Sequence, residues 1–592
     1  MVILLHYGDN TPMTNAVTSI HLKTLIILLA LLITACGGGS GGSGTGPTTP
    51  APSNNLDTEE PEPEPQTGFT DVTANSGLSY QTGLTFDSDD ELVDADFSIR
   101  LIATNGAAAG DYDNDGDIDL FIVRGNFGPN QLYRNDGDLK FTNVAEAAGL
   151  ALLGPGDSTS RQSGPIFADV DGDGDLDLFL RGIRDPALLM RNNGDGTFTD
   201  VTNDAGLLFL RTYGMSSAFG DYDLDGDLDL ATTHWGSPQD RDNPGETEHL
   251  WRNDTEGDNI AFTVVSEASQ ISPSIVQLPD PNALRTNADR TFTPTFARID
   301  DDLFPDLLMV ADFNQTQFFH NNGDGTFENS TDVEVLIDGN GMGTAVGDYD
   351  NDGDLDWFVT SILHPSEEQV ENAALSHFGN RLYQNHQGVF SDVTDEAGVE
   401  DGGWGWGACF MDFENDGDLD IYHTNGWQEE LPTLMAFPDF EGYQLDTSRA
   451  FVNQSDGTFV EQSVDLGLHD TEMGRGVVCA DFDNDGDTDI LLMANKPILW
   501  RNDESGNEYL KVRLIGTPPN TEAAGARIIL SSENTSQIRE ISIGSNFLSQ
   551  NPAIQLFGLG ADTTADLTVS WPNGSETVMT NVASGQTLEI TQ

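Results

Sequence analysis

The chain has 592 residues, too many for one simple core, so several domains or a repeat array are expected. Its 99 acidic residues against 24 basic ones give a formal net charge of −75. A field of that sign repels nucleic acids and anionic membrane surfaces, which excludes both as partners bound through charge. With 37% hydrophobic residues set in short periodic runs, the chain is not an acidic disordered tail.

Residues 1–35 read as a signal peptide. Positions 22–33 are a short apolar core with His21 and Lys23 at its start, too short for a membrane span and shaped like an h-region. A start at Met13 would give a signal of more usual length. Ile33-Thr34-Ala35-Cys36 resembles the bacterial lipobox, which makes Cys36 the expected lipidation site and the first mature residue. Its acyl chains would hold the protein at a membrane without spanning it. Residues 36–67 run from Gly/Ser through Thr/Pro to Glu/Pro and cannot form a core, so they form a spacer.

From Phe69 to about Asn507 one unit recurs. It contains small residues, an Asp-rich loop, an apolar strand, a Leu-Tyr-Arg-Asn type strand, a Gly-Asp-Gly-Thr-Phe turn, then Asp-Val-Thr and Ala-Gly-Leu. First-Asp spacings of about 50 to 77 residues fit one four-stranded blade per unit, as in a β-propeller. The loop is intact six times. The acids are Asp111, Asp113, Asp115, Asp117 and Asp119; Asp169, Asp171, Asp173, Asp175 and Asp177; Asp221, Asp223, Asp225, Asp227 and Asp229. The later loops supply Asp348, Asp350, Asp352, Asp354 and Asp356; Asp412, Glu414, Asp416, Asp418 and Asp420; Asp481, Asp483, Asp485, Asp487 and Asp489.

Oxygens at positions 1, 3, 5 and 9 can surround one hard cation of calcium size, and the position-7 acid is counted with the metal set. Glycine at position 6, as in Gly116 and Gly353, permits the sharp turn. Carboxylates this close repel one another, so the motif implies a counter-charge, and about six calcium sites are expected. Metal-free Asp-rich hairpins are the plain alternative, disfavoured by six copies at fixed spacing. An EF-hand is excluded, because position 12 is never Glu and a β-branched strand follows in place of a helix.

A seventh unit is degenerate: Arg298 replaces the first ligand and Leu303 the glycine, and the guanidinium is expected to neutralise the remaining carboxylates. The opening segment Phe69–Leu78 matches the outer part of a repeat, which the last unit lacks, so the two should pair and close the ring. Cys409 and Cys479 lie at different offsets from their Asp loops, hence on opposite strand faces. Two buried free thiols are therefore expected ahead of a disulfide. Segments 271–294 and 428–450 exceed the repeat length.

The repeats resemble the FG-GAP/VCBS units of integrin α-type propellers and exported bacterial proteins. Tyr509–Leu514, Gly525-Ala-Arg527, Gly544-Ser545, Leu548-Ser549-Gln550, Phe557–Gly560 and Trp571–Gly574 resemble the ASPIC/UnbV domain found with such repeats in cartilage-acidic-protein relatives. The resemblance implies an all-β fold, with a seven-bladed propeller at 68–507 followed by a small β-sandwich at 508–592, and calcium in the six intact loops. The residues themselves agree for the second module: Leu510, Val512 and Leu514 alternate with Lys511 and Arg513, as on a strand with one buried face.

No nucleophile, zinc-protease or phosphate-loop motif is present, and the acids are too numerous for any pair to be singled out. His234, His364 and His423 follow three Asp loops at different offsets and read as loop histidines rather than a shared site. Tyr213, Met215, Met342, Trp404, Trp406 and Arg475 precede the loops and should lie near the propeller channel, as packing or as a ligand site. The expected function is an exported, lipid-anchored, calcium-binding module of adhesion type at the outer membrane or cell surface. Its partner would be a surface protein or glycan, with the membrane reached only through the anchor. The alternative is an exported enzyme acting on polysaccharide through the channel or the long loops.

Overall fold

The computed structural model describes residues 68–82, 105–125, 128–152, 162–183, 186–207, 214–235, 249–272, 289–363, 379–426, 443, 446–503 and 506–592. The expected signal segment, Cys36, the spacer, Tyr213, His364 and most of the two long segments lie outside these residues. Gln66–Gln592 form one compact unit.

Seven antiparallel four-stranded sheets follow one another among the described residues. The first shows the plan, with strands Ala107–Gly110, Asp119–Ile122, Gln131–Asn135 and Phe141–Asn143. The next five open with Gln162–Ala168, Gly214–Gly220, Thr291–Ala297, Thr344–Gly347 and Gly405–Met411. The seventh joins Gly476–Ala480, Asp489–Met493 and Pro497–Asn502 to the strand that opens the array, Phe69–Asp71, which pairs Phe69 with Asn502. The orphan segment thus supplies the missing outer strand, as its sequence match requires.

Burial explains why the strands read as they do. The second strand of each sheet is packed on both faces, so it carries a continuous apolar run, such as Asp489-Ile-Leu-Leu-Met493, buried throughout. The outer strands touch the core with one residue. Phe69, Phe141, Phe198, Phe262, Phe327, Phe390 and Phe459 are buried while most of the residues that follow them are exposed. The Asp-Val-Thr…Ala-Gly-Leu stretch forms a short helical turn in three units, each ended by a glycine with positive φ (Gly77, Gly149 and Gly398).

Neighbouring sheets are tied by one asparagine each. The side-chain amide of Asn192 donates to the Tyr112 carbonyl, Asn253 to Val170, Asn321 to Tyr222, Asn385 to Ile299, Asn453 to Tyr349 and Asn502 to Phe413, at 2.7–2.9 Å. Asn135 of the first sheet donates to Phe482 of the seventh at 2.8 Å, so the series is cyclic.

One expectation about the cysteines fails. Cys409 and Cys479 form a disulfide, with Cα atoms 6.6 Å apart. They sit on adjacent sheets, the sixth and seventh, and opposite faces of two packed sheets are the faces that meet. The different offsets therefore bring the sulfurs together.

Residues 508–592 build two further sheets. Glu508–Ile515 pairs antiparallel with Gln555–Gly560 and parallel with Gln586–Thr591. Arg527–Ser531 lies between Ser536–Glu540 and Thr564–Ser570, with Glu576–Ala583 outermost. Their inner faces share a core that includes Leu510, Val512, Ile528, Phe557, Val569 and Trp571. The expected sandwich is present, with one parallel pairing in place of a wholly antiparallel plan.

Removing one inter-sheet asparagine leaves buried carbonyls without a donor. Asn453→Ala should lower stability to urea by about 1–3 kcal/mol, whereas Asn193→Ala, on an exposed turn, should stay within about 0.5 kcal/mol. Equal effects would show that the asparagine cycle carries no stability.

Candidate metal centre

The Asp loops fold around their own carboxylates. In the first loop, Asp111 Oδ1 accepts the Asp115 N–H at 2.9 Å and Oδ2 accepts Gly116 N–H at 3.1 Å. The same pair of bonds recurs at Asp169, Asp348, Asp412 and Asp481. Glycine at position 6 has φ between 94° and 102° in all six intact loops, a conformation costly for other residues. The position-9 acid is a buried pin. Asp119 accepts the N–H of Tyr112 and of Asn135, and Asp177, Asp229, Asp356, Asp420 and Asp489 do the same in their units.

These contacts leave converging oxygens that fit a hard cation. Carboxylate atoms of Asp111, Asp113 and Asp115 lie within 4.8 Å of one another, as do those of Asp169, Asp171 and Asp177. Oδ1 of Asp171, Asp223 and Asp483, all at position 3, is buried and accepts no hydrogen bond among the described residues. Burial and then the neighbouring carboxylates push Asp221 and Asp348 up to about 7 and Asp412 to about 8. Burial carries Asp119 and Asp356 to about 9 against the pull of backbone N–H groups.

The position-7 acids also make contacts between loops. Asp117, Asp175, Asp418 and Asp487 each accept a hydrogen bond from the asparagine at position 4 of the neighbouring loop. The donors are Asn484, Asn114, Asn351 and Asn415, at 2.6–2.8 Å, and Asp354 instead meets His386 at 3.2 Å. These side chains lace neighbouring loops together. Those asparagines also take φ near 57–61°, which asparagine tolerates better than most residues.

In the degenerate loop Arg298 Nε donates to the Asp302 carbonyl at 3.0 Å, and its guanidinium faces Asp302 and Asp300 electrostatically. His320 Nδ1 adds a second contact, 3.3 Å from Asp300 and 3.1 Å from Asp306. The histidine reaches these carboxylates from the third strand of its sheet, a position the loop sequence does not reveal.

The Asp-loop end is covered by the C-terminal module. Lys511 Nζ reaches Asp481 Oδ2 at 2.8 Å and Asn484 Oδ1 at 2.6 Å, and Arg513 reaches Asp111 Oδ2 at 2.5 Å. Thr521 donates to Asp169, and Glu540 accepts the Arg298 N–H at 2.9 Å. Buried Arg539 faces Asp412 and Asp348 electrostatically. The polar face of strand Glu508–Ile515 is thus a docking face.

From this module the segment around 543–551 enters the middle of the sheets. Ile543–Gly544 adds a fifth strand to the third sheet. Gln550 bonds Ala107 and Ala109 of the first sheet through its backbone, and the Phe167 N–H and carbonyl of the second through its side chain. Leu548 N–H donates to Ser216, Asn546 donates to the Val477 carbonyl and its own carbonyl accepts the Thr344 N–H. Phe547 packs on Phe292 and Trp406, with ring centroids 5.8 and 5.3 Å away. All seven sheets touch this one segment.

The candidate channel residues do converge, but on the chain itself. Met215, Met342, Trp404 and Trp406 form one buried apolar cluster with Phe547 and Leu548. Arg475 lies 4.0 Å over the Trp406 ring and donates to the Gly426 carbonyl. These five side chains pack on the chain's own residues, the apolar four covered by apolar side chains. His423 is buried between Phe358 and Phe451, and burial pushes it down to about 3, so it is neutral. His234 meets His249 and Asp289, two residues the sequence did not single out.

Fold and loops define a class: all-β proteins built from sheet repeats with Asp-rich loops. The description FG-GAP-like repeat matches residues 111–180, 169–232, 298–359 and 440–492, and ASPIC and UnbV matches 516–592. The chain thus carries FG-GAP-like repeats and a C-terminal ASPIC and UnbV domain. It is 25% identical to cartilage acidic protein 1 of Homo sapiens over 511 residues, covering 81% of this chain and 70% of that protein. With the Xenopus tropicalis protein of that name it shares 24% over 501 residues, 79% of this chain and 70% of the relative. A likeness to the V. cholerae biofilm matrix protein Bap1, at 10% identity and a TM-score of 0.30, covers 87% of this chain and 62% of that one.

Lys511 and Asp481 are both buried, at 5% and 3% side-chain exposure, so breaking the pair strands a charge. Lys511→Met should cost about 3–5 kcal/mol in urea melts. Arg513→Gln, whose partner reaches a 37% exposed guanidinium, should cost no more than about 1 kcal/mol. A neutral Lys511→Met would remove the module's cations from the explanation of docking.

Proposed function

We propose that this protein is an exported, lipid-anchored adhesion-type module, in which a closed seven-bladed propeller is stiffened by calcium in its six intact Asp loops. The observation that carries the reading is the covered Asp-loop end: the chain's own C-terminal module sits on it and fills the centre with Phe547 and Leu548. Metal there would be structural, coupling folding to cation binding rather than presenting an open catalytic position. The cycle of seven asparagine bonds supports a closed ring. The Cys409–Cys479 disulfide supports an oxidising compartment outside the cytosol. In an up-and-down sheet the inter-sheet connections leave from the end opposite the Asp loops, and that end is where a surface protein or glycan would be met.

The sign of the pH dependence follows from the raised carboxyl groups. Native Asp221, Asp348 and Asp412 hold protons that the unfolded chain has released above about pH 4, so metal-free protein loses stability as pH rises towards 7–8. Calcium binds the ionised form and reverses the trend. Titration calorimetry should count about six calcium ions, and chelator should lower Tm more at pH 8 than at pH 5. Glycan and matrix-protein arrays probed in calcium and in chelator then read the partner. Absent calcium uptake, or a Tm indifferent to chelator at both pH values, would falsify the structural-calcium reading.

A further inference from the structure

Three buried residues with possible metal-ligating atoms cluster away from the Asp loops. His234 ends the second strand of the third sheet, His249 precedes the third strand, and Asp289 precedes the first strand of the fourth. Their exposures are 3%, 1% and 3%. His234 Nε2 lies 3.0 Å and His249 Nε2 2.8 Å from the same oxygen, Asp289 Oδ2. The other oxygen, Oδ1, accepts the Thr291 N–H at 2.9 Å and its hydroxyl at 2.8 Å, which fixes the carboxylate with Oδ2 towards the imidazoles.

The orientation of His249 makes this arrangement informative. Its Nδ1 is 3.0 Å from the Thr232 carbonyl oxygen, which can only accept, so Nδ1 is the donor nitrogen of that contact. That sets Nε2 towards a carboxylate oxygen 2.8 Å away. An imidazole whose Nδ1–H is held by a backbone carbonyl while Nε2 faces a carboxylate is how metal-bound histidines are oriented. All three ligand atoms lie within 4.8 Å of one another. Tetrahedral zinc bonds of about 2.0–2.2 Å would set them about 3.3 Å apart, so the two N···O separations must open by a few tenths of an ångström.

We propose that His234, His249 and Asp289 bind one divalent transition-metal ion of the zinc type, clipping the third sheet to the fourth. Imidazole nitrogen selects such ions over calcium, which prefers an all-oxygen shell, so the two metal systems are chemically separate. The site does not depend on the calcium reading of the Asp loops. Zinc titrated calorimetrically into the purified protein, with the Asp loops flooded by excess calcium, should fill one site of this kind per chain. His249→Ala should lose that equivalent. Asp289→Asn, which keeps the shape of the side chain, should weaken it if the first variant does not fold. Copper(II) used in place of zinc should give an electron paramagnetic resonance spectrum split by two nitrogens, a pattern no Asp loop supplies. No zinc uptake in excess calcium, an oxygen-only copper spectrum, or uptake unchanged in both variants would overturn the proposal and leave a proton-bridged His–Asp–His contact.

Discussion

Negative charge crowded into one end of a set of sheets needs positive charge within a few ångströms. Two carboxylates 4 Å apart repel by about 4 kcal/mol at an effective dielectric near 20, and every intact loop brings five acids together. The chain meets this demand in layers. Backbone N–H groups of each loop point at its first and last carboxylates. Lys511, Arg513 and Arg539 then approach from the C-terminal module, and His320 serves the loop whose first aspartate has become Arg298. Unsatisfied oxygens at position 3 leave room for a metal as the remaining layer.

That electrostatic demand also explains why the two halves form one unit. The module's basic strand is drawn to the acidic end, and its segment around 543–551 continues into the space where the inner strands meet. There Gln550 and Asn546 satisfy backbone groups that a simple ring would leave exposed at its centre, while Phe547 and Leu548 cover the apolar side chains around them. The asparagine cycle holds neighbouring sheets at the rim of each loop, and the position-4 asparagines lace four of the loops to the next. Pulling on one loop therefore pulls on its neighbours.

The repeats were legible because two faces of packing leave a plain mark: continuous apolar second strands such as 489–493, and one phenylalanine per outer strand. The missing seventh outer strand could be assigned to Phe69–Asp71 because its motif lacked a partner elsewhere. What stayed hidden depends on which surfaces meet. Alternation along 510–514 distinguishes two faces but not solvent from a charged partner, so it did not place Lys511 and Arg513 against the acidic end. The cysteine offsets were read within one sheet, whereas the bond forms between two. His249 and Asp289 are 40 residues apart by number and adjoin different sheets, so no local spacing announces them beside His234. Leu548-Ser549-Gln550 did stand out as a motif, but its place at the centre of the sheets follows from topology alone.

Anomalous scattering from crystals grown in calcium reads the cation positions without intermediaries. A layered neutralisation of the Asp-loop end predicts six peaks, one within each intact loop and none beside Arg298. Loops that hold the same shape with no anomalous density would contradict it, because backbone donors and the module's own lysine and arginines would then suffice to hold the acidic end together.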